Sequence, residues 1–204
     1  MAHSSVGPMY GPAATAGAAF LQAHSEQGMM MRVDYGTVLT TFRQKVAALL
    51  ETSPNNIAYV SNTAEGTNMV ANGYPFEPGD QVISYVHEFP SNHYPWLLQQ
   101  RRGVELVLLS DVDPCGGLPE GGPRGWSMEE LEAKTTDRTR VIALSHVQFA
   151  SGYAADLREL GDFCRERGID LVIDAAQSLG VLPLHPEEYG IAAVTGSTWK
   201  WLLA

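Results

Sequence analysis

From Pro54 onward the chain alternates short apolar runs with segments of helical periodicity, and this alternation limits the fold more than any other feature. Residues 57–60, 81–86, 104–109, 140–144, 170–173 and 191–194 read as short strands. Between them, residues 64–72, 92–101, 127–133 and 156–167 carry apolar side chains at the three-and-four spacing of an amphipathic helix. Ser127 with Glu130 and Asp156 with Glu159 are capping signatures, and Gly168 stands where a helix C-terminal glycine belongs. Strands alternating with helices predict an α/β fold: a mostly parallel sheet sandwiched by helices.

Upstream, residues 37–51 place Val38, Phe42, Val46 and Leu49 at helical intervals, whereas the Ala-rich run 13–23 gives only weak amphipathic support. Residues 113–125 read as a loop rather than a domain boundary, so 1–204 is expected to be one domain. With 45% hydrophobic and 18% charged residues, the composition excludes a disordered chain or a coiled coil. Thirteen basic against twenty-three acidic side chains leave a formal charge of -10, which argues against nucleic acid or an anionic membrane as the main partner. No apolar run approaches the ~20 residues of a bilayer span, and residues 1–20 lack a basic start followed by an apolar block. Two cysteines, Cys115 and Cys164, are too few for a disulfide framework. A soluble, cytoplasmic protein is the expectation.

In parallel sheets ligands bind beyond the carboxyl ends of the strands, so the polar residues just after each strand carry the functional question. Ser61-Asn62-Thr63-Ala64-Glu65-Gly66-Thr67-Asn68 opens a helix whose first N–H groups can seat a phosphate, and equally reads as an ordinary helix cap. Phe89, between a strand and Pro90, is either a ring standing in a cleft or a core residue. His87 and His93, six apart across a proline, match no metal-ligand spacing, and no metal is expected. Asp174 ends an apolar strand, where it either holds a buried cation or caps the following turn. Lys200 lies between Trp199 and Trp201, a dry neighbourhood that favours the neutral amine over the ammonium, although a lone lysine more often reads as a solvated surface charge. Gly116-Gly117 and Gly121-Gly122 sit in a loop rather than after a strand, so no dinucleotide fingerprint is present.

A phosphate seat, an aromatic plate, a strand-end carboxylate and a desolvated lysine, in that chain order, are the four points by which pyridoxal 5'-phosphate is held. On these residues the sequence resembles the class V aminotransferase group of fold-type I pyridoxal phosphate enzymes, which includes cysteine desulfurases, kynureninases and isopenicillin N epimerase-like proteins. The resemblance covers almost the whole chain and corresponds to the N-terminal half of a family member. It implies the cofactor-binding large domain, ending just after the Schiff-base lysine, without the smaller C-terminal domain.

By this resemblance Lys200 is the Schiff-base lysine and Asp174 the acid paired with the pyridinium nitrogen. Gln177 is the donor to the phenolic oxygen, and Phe89 the ring-stacking residue. Thr63, Ala64 and Ser197 match phosphate-contacting positions, with Glu65 beside them. Trp199 stands where many relatives carry a phosphate-binding histidine. Glu88 to Asn92 with Pro95-Trp96, and residues 146–152, resemble the segments beside the cofactor; the most specific element is Asp174-x-x-Gln177 followed by Lys200. Phe89 replaces the histidine typical of cysteine desulfurases, which points towards the epimerase-like or kynureninase-like branch. The implied activity is amino transfer, or another reaction at the α-carbon of an amino acid or other amine, by a homodimer. The alternatives are a lyase, epimerase or desulfurase of the same family, and a cofactor-binding module without turnover.

Overall fold

The structure, a computed structural model, describes residues 3–32, 34–114, 116–117 and 123–204. The readings above that rest on Met1, Cys115 and Gly121-Gly122 lie outside the described residues.

Five strands build one sheet: β1 (Gln81–Tyr85), β2 (Glu105–Leu109), β3 (Thr139–Ser145), β4 (Asp170–Asp174) and β5 (Ile191–Thr195). They lie in the order β2-β1-β3-β4-β5, every neighbouring pair parallel. The helices are α1 (Gly11–Gln27), α2 (Tyr35–Leu50), α3 (Thr63–Gly73), α4 (Pro90–Leu97), α5 (Met128–Lys134), α6 (Leu157–Arg167) and α7 (Pro186–Tyr189). Parallel strands need crossovers, and the helices between them lie on both faces of the sheet.

The two-residue alternation of each strand divides the core. Ile83, Tyr85, Ile142, Leu144, Leu171 and Ile173 face one side, where Leu131 of α5 and Leu160 and Phe163 of α6 cover them. Val82, Val141, Ala143 and Val172 face the other side, against Ala71 of α3 and Trp96 of α4. Caps set the helix starts: the side chains of Asn62, Ser127 and Asp156 accept from the N–H groups of Glu65, Glu130 and Glu159. Gly168 ends α6 in the left-handed region, φ 66°.

Residues 57–60, expected as a strand, carry no ladder. Ile57 is extended, φ -101° and ψ 120°, and packs against the core, but a strand needs a neighbouring backbone as well as an apolar pattern. Helix α7, too short to show periodicity, was not expected from the pattern. Helix α1 buries none of its residues, in keeping with its weak amphipathic signal. No helix among the described residues is long and apolar enough to cross a membrane.

Gly161 allows α6 to pack directly on the last residue of α7: a Cβ there would lie 1.8 Å from the Tyr189 carbonyl oxygen. Gly161→Ala should therefore cost about 1–3 kcal/mol in denaturant unfolding. Gly17→Ala, where a methyl meets open space within α1, should cost nothing. Equal effects of the two substitutions would remove this packing account.

Candidate functional site

Strand alternation aims the catalytic candidates. Asp174 is two residues beyond Val172 on β4, so it faces the α3 and α4 side, at the carboxyl end of the sheet. Only 3% of it is exposed. Its carboxylate accepts from the Ala176 N–H at 2.8 Å and, weakly, from Ser91 Oγ at 3.4 Å, the latter on the first turn of α4. Burial pushes its pKa above the ordinary carboxylate range, opposed by the Ala176 N–H and the positive charge of Lys200. Lys200 shows the mirror effect: burial lowers its pKa and the Asp174 charge raises it. The two groups sense one another across the site.

Lys200 Nζ lies 6.0 Å from the centroid of the Phe89 ring. That ring is 46% exposed and meets Phe149 edge-on, with centroids 5.2 Å apart and planes at 82°. Phe89 thus stands exposed beside Lys200, and the core alternative does not hold. Phe149 comes from the 146–152 loop, and it is the aromatic partner that the sequence did not single out.

The phosphate candidates gather at the start of α3. Thr63 is buried in its first turn, and the Ala64 carbonyl accepts from Asn68 Nδ2 at 2.8 Å. Glu65 turns back so that its carboxylate accepts from the Ser61 N–H, a bond that lowers its pKa. It therefore orders the helix start, and an ionised carboxylate has no proton to offer an oxyanion. Thr67 Oγ1 lies 3.3 Å from Thr195 Oγ1, which sets α3 alongside the end of β5. Ser197 follows two residues later, buried, with its Oγ lacking any partner. An orphaned hydroxyl two residues beyond a strand end that packs against α3 fits an oxyanion, because a hydroxyl and a helix N-terminus both offer hydrogen-bond donors to negative charge. Trp199 is 41% exposed on the segment leading to Lys200, and its carbonyl accepts from the Gly7 N–H at 2.9 Å.

Two further features of the site come from the structure. Glu88 is buried and accepts from the Ser145 N–H at 2.7 Å, from Ser145 Oγ and from Gln148 Nε2 at 2.7 Å. Burial raises its pKa, and it ties the Phe89 turn to the end of β3 and the 146–152 loop. The His146 N–H donates to the Asp174 carbonyl at 3.0 Å, completing the brace. A charged residue directly before Phe89-Pro90 at a strand end was the available signal for Glu88. The second feature is the N-terminal segment. Gln177 Nε2 donates to the Ser4 carbonyl at 2.9 Å, and Gln177 Oε1 is buried without a partner. No local pattern could place residue 4 beside residue 177.

A parallel sheet with a lysine, a carboxylate and an aromatic plate at its carboxyl edge defines a fold-type I pyridoxal phosphate architecture, and the comparisons agree. The family profile Aminotransferase class-V matches residues 18–204, and the chain belongs to that family, whose cofactor is pyridoxal 5'-phosphate. A probable cysteine desulfurase of Methanothermobacter thermautotrophicus is 33% identical over 148 residues, which is 72% of this chain and 35% of that protein. The cysteine desulfurase IscS of Vibrio campbellii is 28% identical over 163 residues, 78% of this chain and 38% of that protein. Among solved structures, the cysteine desulfurase CsdA of Escherichia coli superposes with a TM-score of 0.79 at 25% identity, over 97% of this chain and 50% of that one. The cystine C-S lyase C-DES, in complex with cysteine persulfide, has the same fold, with a TM-score of 0.82 at 22% identity over 98% and 52%. The chain thus spans about a third of the length of these curated relatives and about half of these solved chains.

Because the Asp174 charge raises the Lys200 pKa, Asp174→Asn should leave the amine neutral at lower pH. Acylation of Lys200, followed by mass spectrometry against the exposed Lys45 as internal reference, should shift its pH profile downwards in that variant. An unmoved profile would show that the carboxylate does not act on the ammonium.

Proposed function

We propose that residues 1–204 form the cofactor-binding domain of a pyridoxal phosphate enzyme that acts on an amino acid or other amine, by amino transfer or another reaction at the substrate α-carbon. The observation that carries this reading is the convergence of Lys200, Asp174 and Phe89 at one sheet edge, beside the unpartnered hydroxyl of Ser197. When bound, pyridoxal phosphate supplies an electron sink for the bond broken at the α-carbon.

The residues divide that work. Burial enriches the neutral form of Lys200 Nζ, the form able to bond an aldehyde, and the same nitrogen then serves as proton carrier at the substrate α-carbon. Asp174 holds a proton at the ring nitrogen. A buried carboxylate with one good hydrogen bond and one weak one is stabilised by a cationic partner there. Phe89 supports the ring face, and Gln177 offers an amide N–H to its phenolic oxygen. Thr63, Ser197 and the first N–H groups of α3 receive the phosphate, with Glu65 ordering that turn and Trp199 flanking it.

A second reading is sulfur removal from cysteine or cystine, which the named activities of the relatives favour. Cys164 does not supply its nucleophile: it is buried in α6, and burial pushes its thiol up to about 12. We further propose a cytoplasmic homodimer. This is supported by the resemblance and by the exposed Phe20, Leu21, Val38, Leu39 and Phe42 on α1 and α2.

Borohydride treatment after addition of pyridoxal phosphate should leave the pyridoxyl group on Lys200; labelling confined to Lys45 or Lys134 would sink the assignment. An amino-donor screen that includes cysteine, read as keto acid against sulfide, separates the two reactions. Phe89→Ala should weaken cofactor binding by about 0.5–1.5 kcal/mol while the apo protein melts as before. An equal loss of both would return Phe89 to a purely structural role.

A further inference from the structure

After β5 ends at Thr195, residues 196–204 form neither helix nor strand, so the backbone that carries Lys200 has no ladder to hold it. Within the segment, the Ala204 N–H closes onto the Thr198 carbonyl at 3.2 Å. Thr198 Oγ1 also donates to the Ala204 carbonyl, and Leu202 lies against Gly180. Residues 3–10 run across the segment as well and hold its backbone directly. The Gly7 N–H donates to the Trp199 carbonyl at 2.9 Å and the Tyr10 N–H to the Leu203 carbonyl at 2.8 Å. The His3 imidazole stacks on Trp201, with centroids 5.3 Å apart and planes at 14°.

Gly7 is where the two segments come closest. A Cβ there would lie 2.3 Å from the Lys200 carbonyl oxygen, 2.8 Å from the Leu203 side chain and 3.1 Å from His3 Nδ1. A carbonyl oxygen cannot swing aside as a side-chain tip can, so any larger residue must part the Gly7 and Lys200 backbones. Lysine reaches its target through a flexible four-carbon stem, and its amine is only as well placed as the Cα from which it hangs.

We propose that residues 3–10 are a strap that seats the Lys200 segment, with Gly7 as a positioning residue for cofactor attachment. This rests on the reading of Lys200 as the cofactor-bearing amine. The strap acts on a second site residue as well. Ser4 takes one N–H of the Gln177 amide and leaves the other for the phenolic oxygen, so one segment orients both an attachment point and a ring contact. The segment His3-Ser4-Ser5-Val6-Gly7-Pro8 thereby acquires a role that composition alone does not suggest.

The test compares the full chain with Gly7→Ala, with His3→Ala, and with Gly11→Ala, where a Cβ meets nothing within 4 Å. Circular dichroism checks the fold. Acylation of Lys200 relative to Lys45, across pH, reads the seat of the amine without any cofactor. Visible absorbance during pyridoxal phosphate titration reads attachment. Gly7→Ala should change Lys200 acylation and cofactor affinity roughly tenfold or more with the fold retained. His3→Ala should shift both in the same direction by less, and Gly11→Ala should match the unaltered chain. If Gly7→Ala does not fold, His3→Ala decides: unchanged acylation and affinity in it overturn the strap. Wild-type acylation in a folded Gly7→Ala also overturns it. Failure of the unaltered chain to take up pyridoxal phosphate on Lys200 overturns the functional reading instead, and acylation still decides the strap.

Discussion

A carboxylate at the buried end of a central strand is the constraint around which the carboxyl edge of this sheet is arranged. Asp174 is nearly inaccessible, and its own turn and Ser91 satisfy only part of its hydrogen-bonding capacity. Ionisation there is costly unless positive charge is near, and the nearby cation is Lys200, itself short of water. Each group is raised or lowered by burial and partly restored by the other. Such mutual dependence is how a protein holds an amine with an enlarged neutral fraction beside a carboxylate able to accept a new cationic partner.

Around that pair the loops are braced by buried polar bonds rather than by regular structure. Glu88 joins the turn bearing Phe89 to Ser145 and Gln148, and the backbone of His146 joins the same loop to Asp174. Bonds of this kind are costly to break, because each donor left unpaired in the interior loses its contact with water as well. The consequence is a stiff rim: Phe89 and Phe149 meet edge-on at a site whose floor is the sheet itself.

On the proposed reading, the residue at position 89 bears on the chemistry. Phenylalanine provides a face but no proton, which would leave acid–base work to Lys200, whereas a histidine there would bring a second titratable group. The relatives named as cysteine desulfurases share the fold and the family. Among the described residues, Phe89 supplies no titratable group and Cys164 no accessible thiol to a sulfur reaction.

Local pattern carried a large part of this structure. The strands from β1 to β5 and the helices from α2 to α6 follow from apolar spacing and capping residues, with most boundaries displaced by a residue or two because both signals are written in neighbouring positions; α4 ends at Leu97, four residues short of the expected 101, where a 3-10 turn takes over. The placement of Phe89, Asp174 and Lys200 at the carboxyl edge was legible for the same reason: each ends a strand or follows one. Residues 57–60 show the limit, since their apolar run specifies an extended chain but cannot supply the neighbouring backbone that would make it a strand. What only the tertiary structure decided is which distant groups meet. Thr67 lies against Thr195, Glu88 accepts from Ser145, and Gln177 donates to Ser4. These contacts join residues far apart in the chain, and a hydrogen bond depends on position in space, which no periodicity of the sequence encodes.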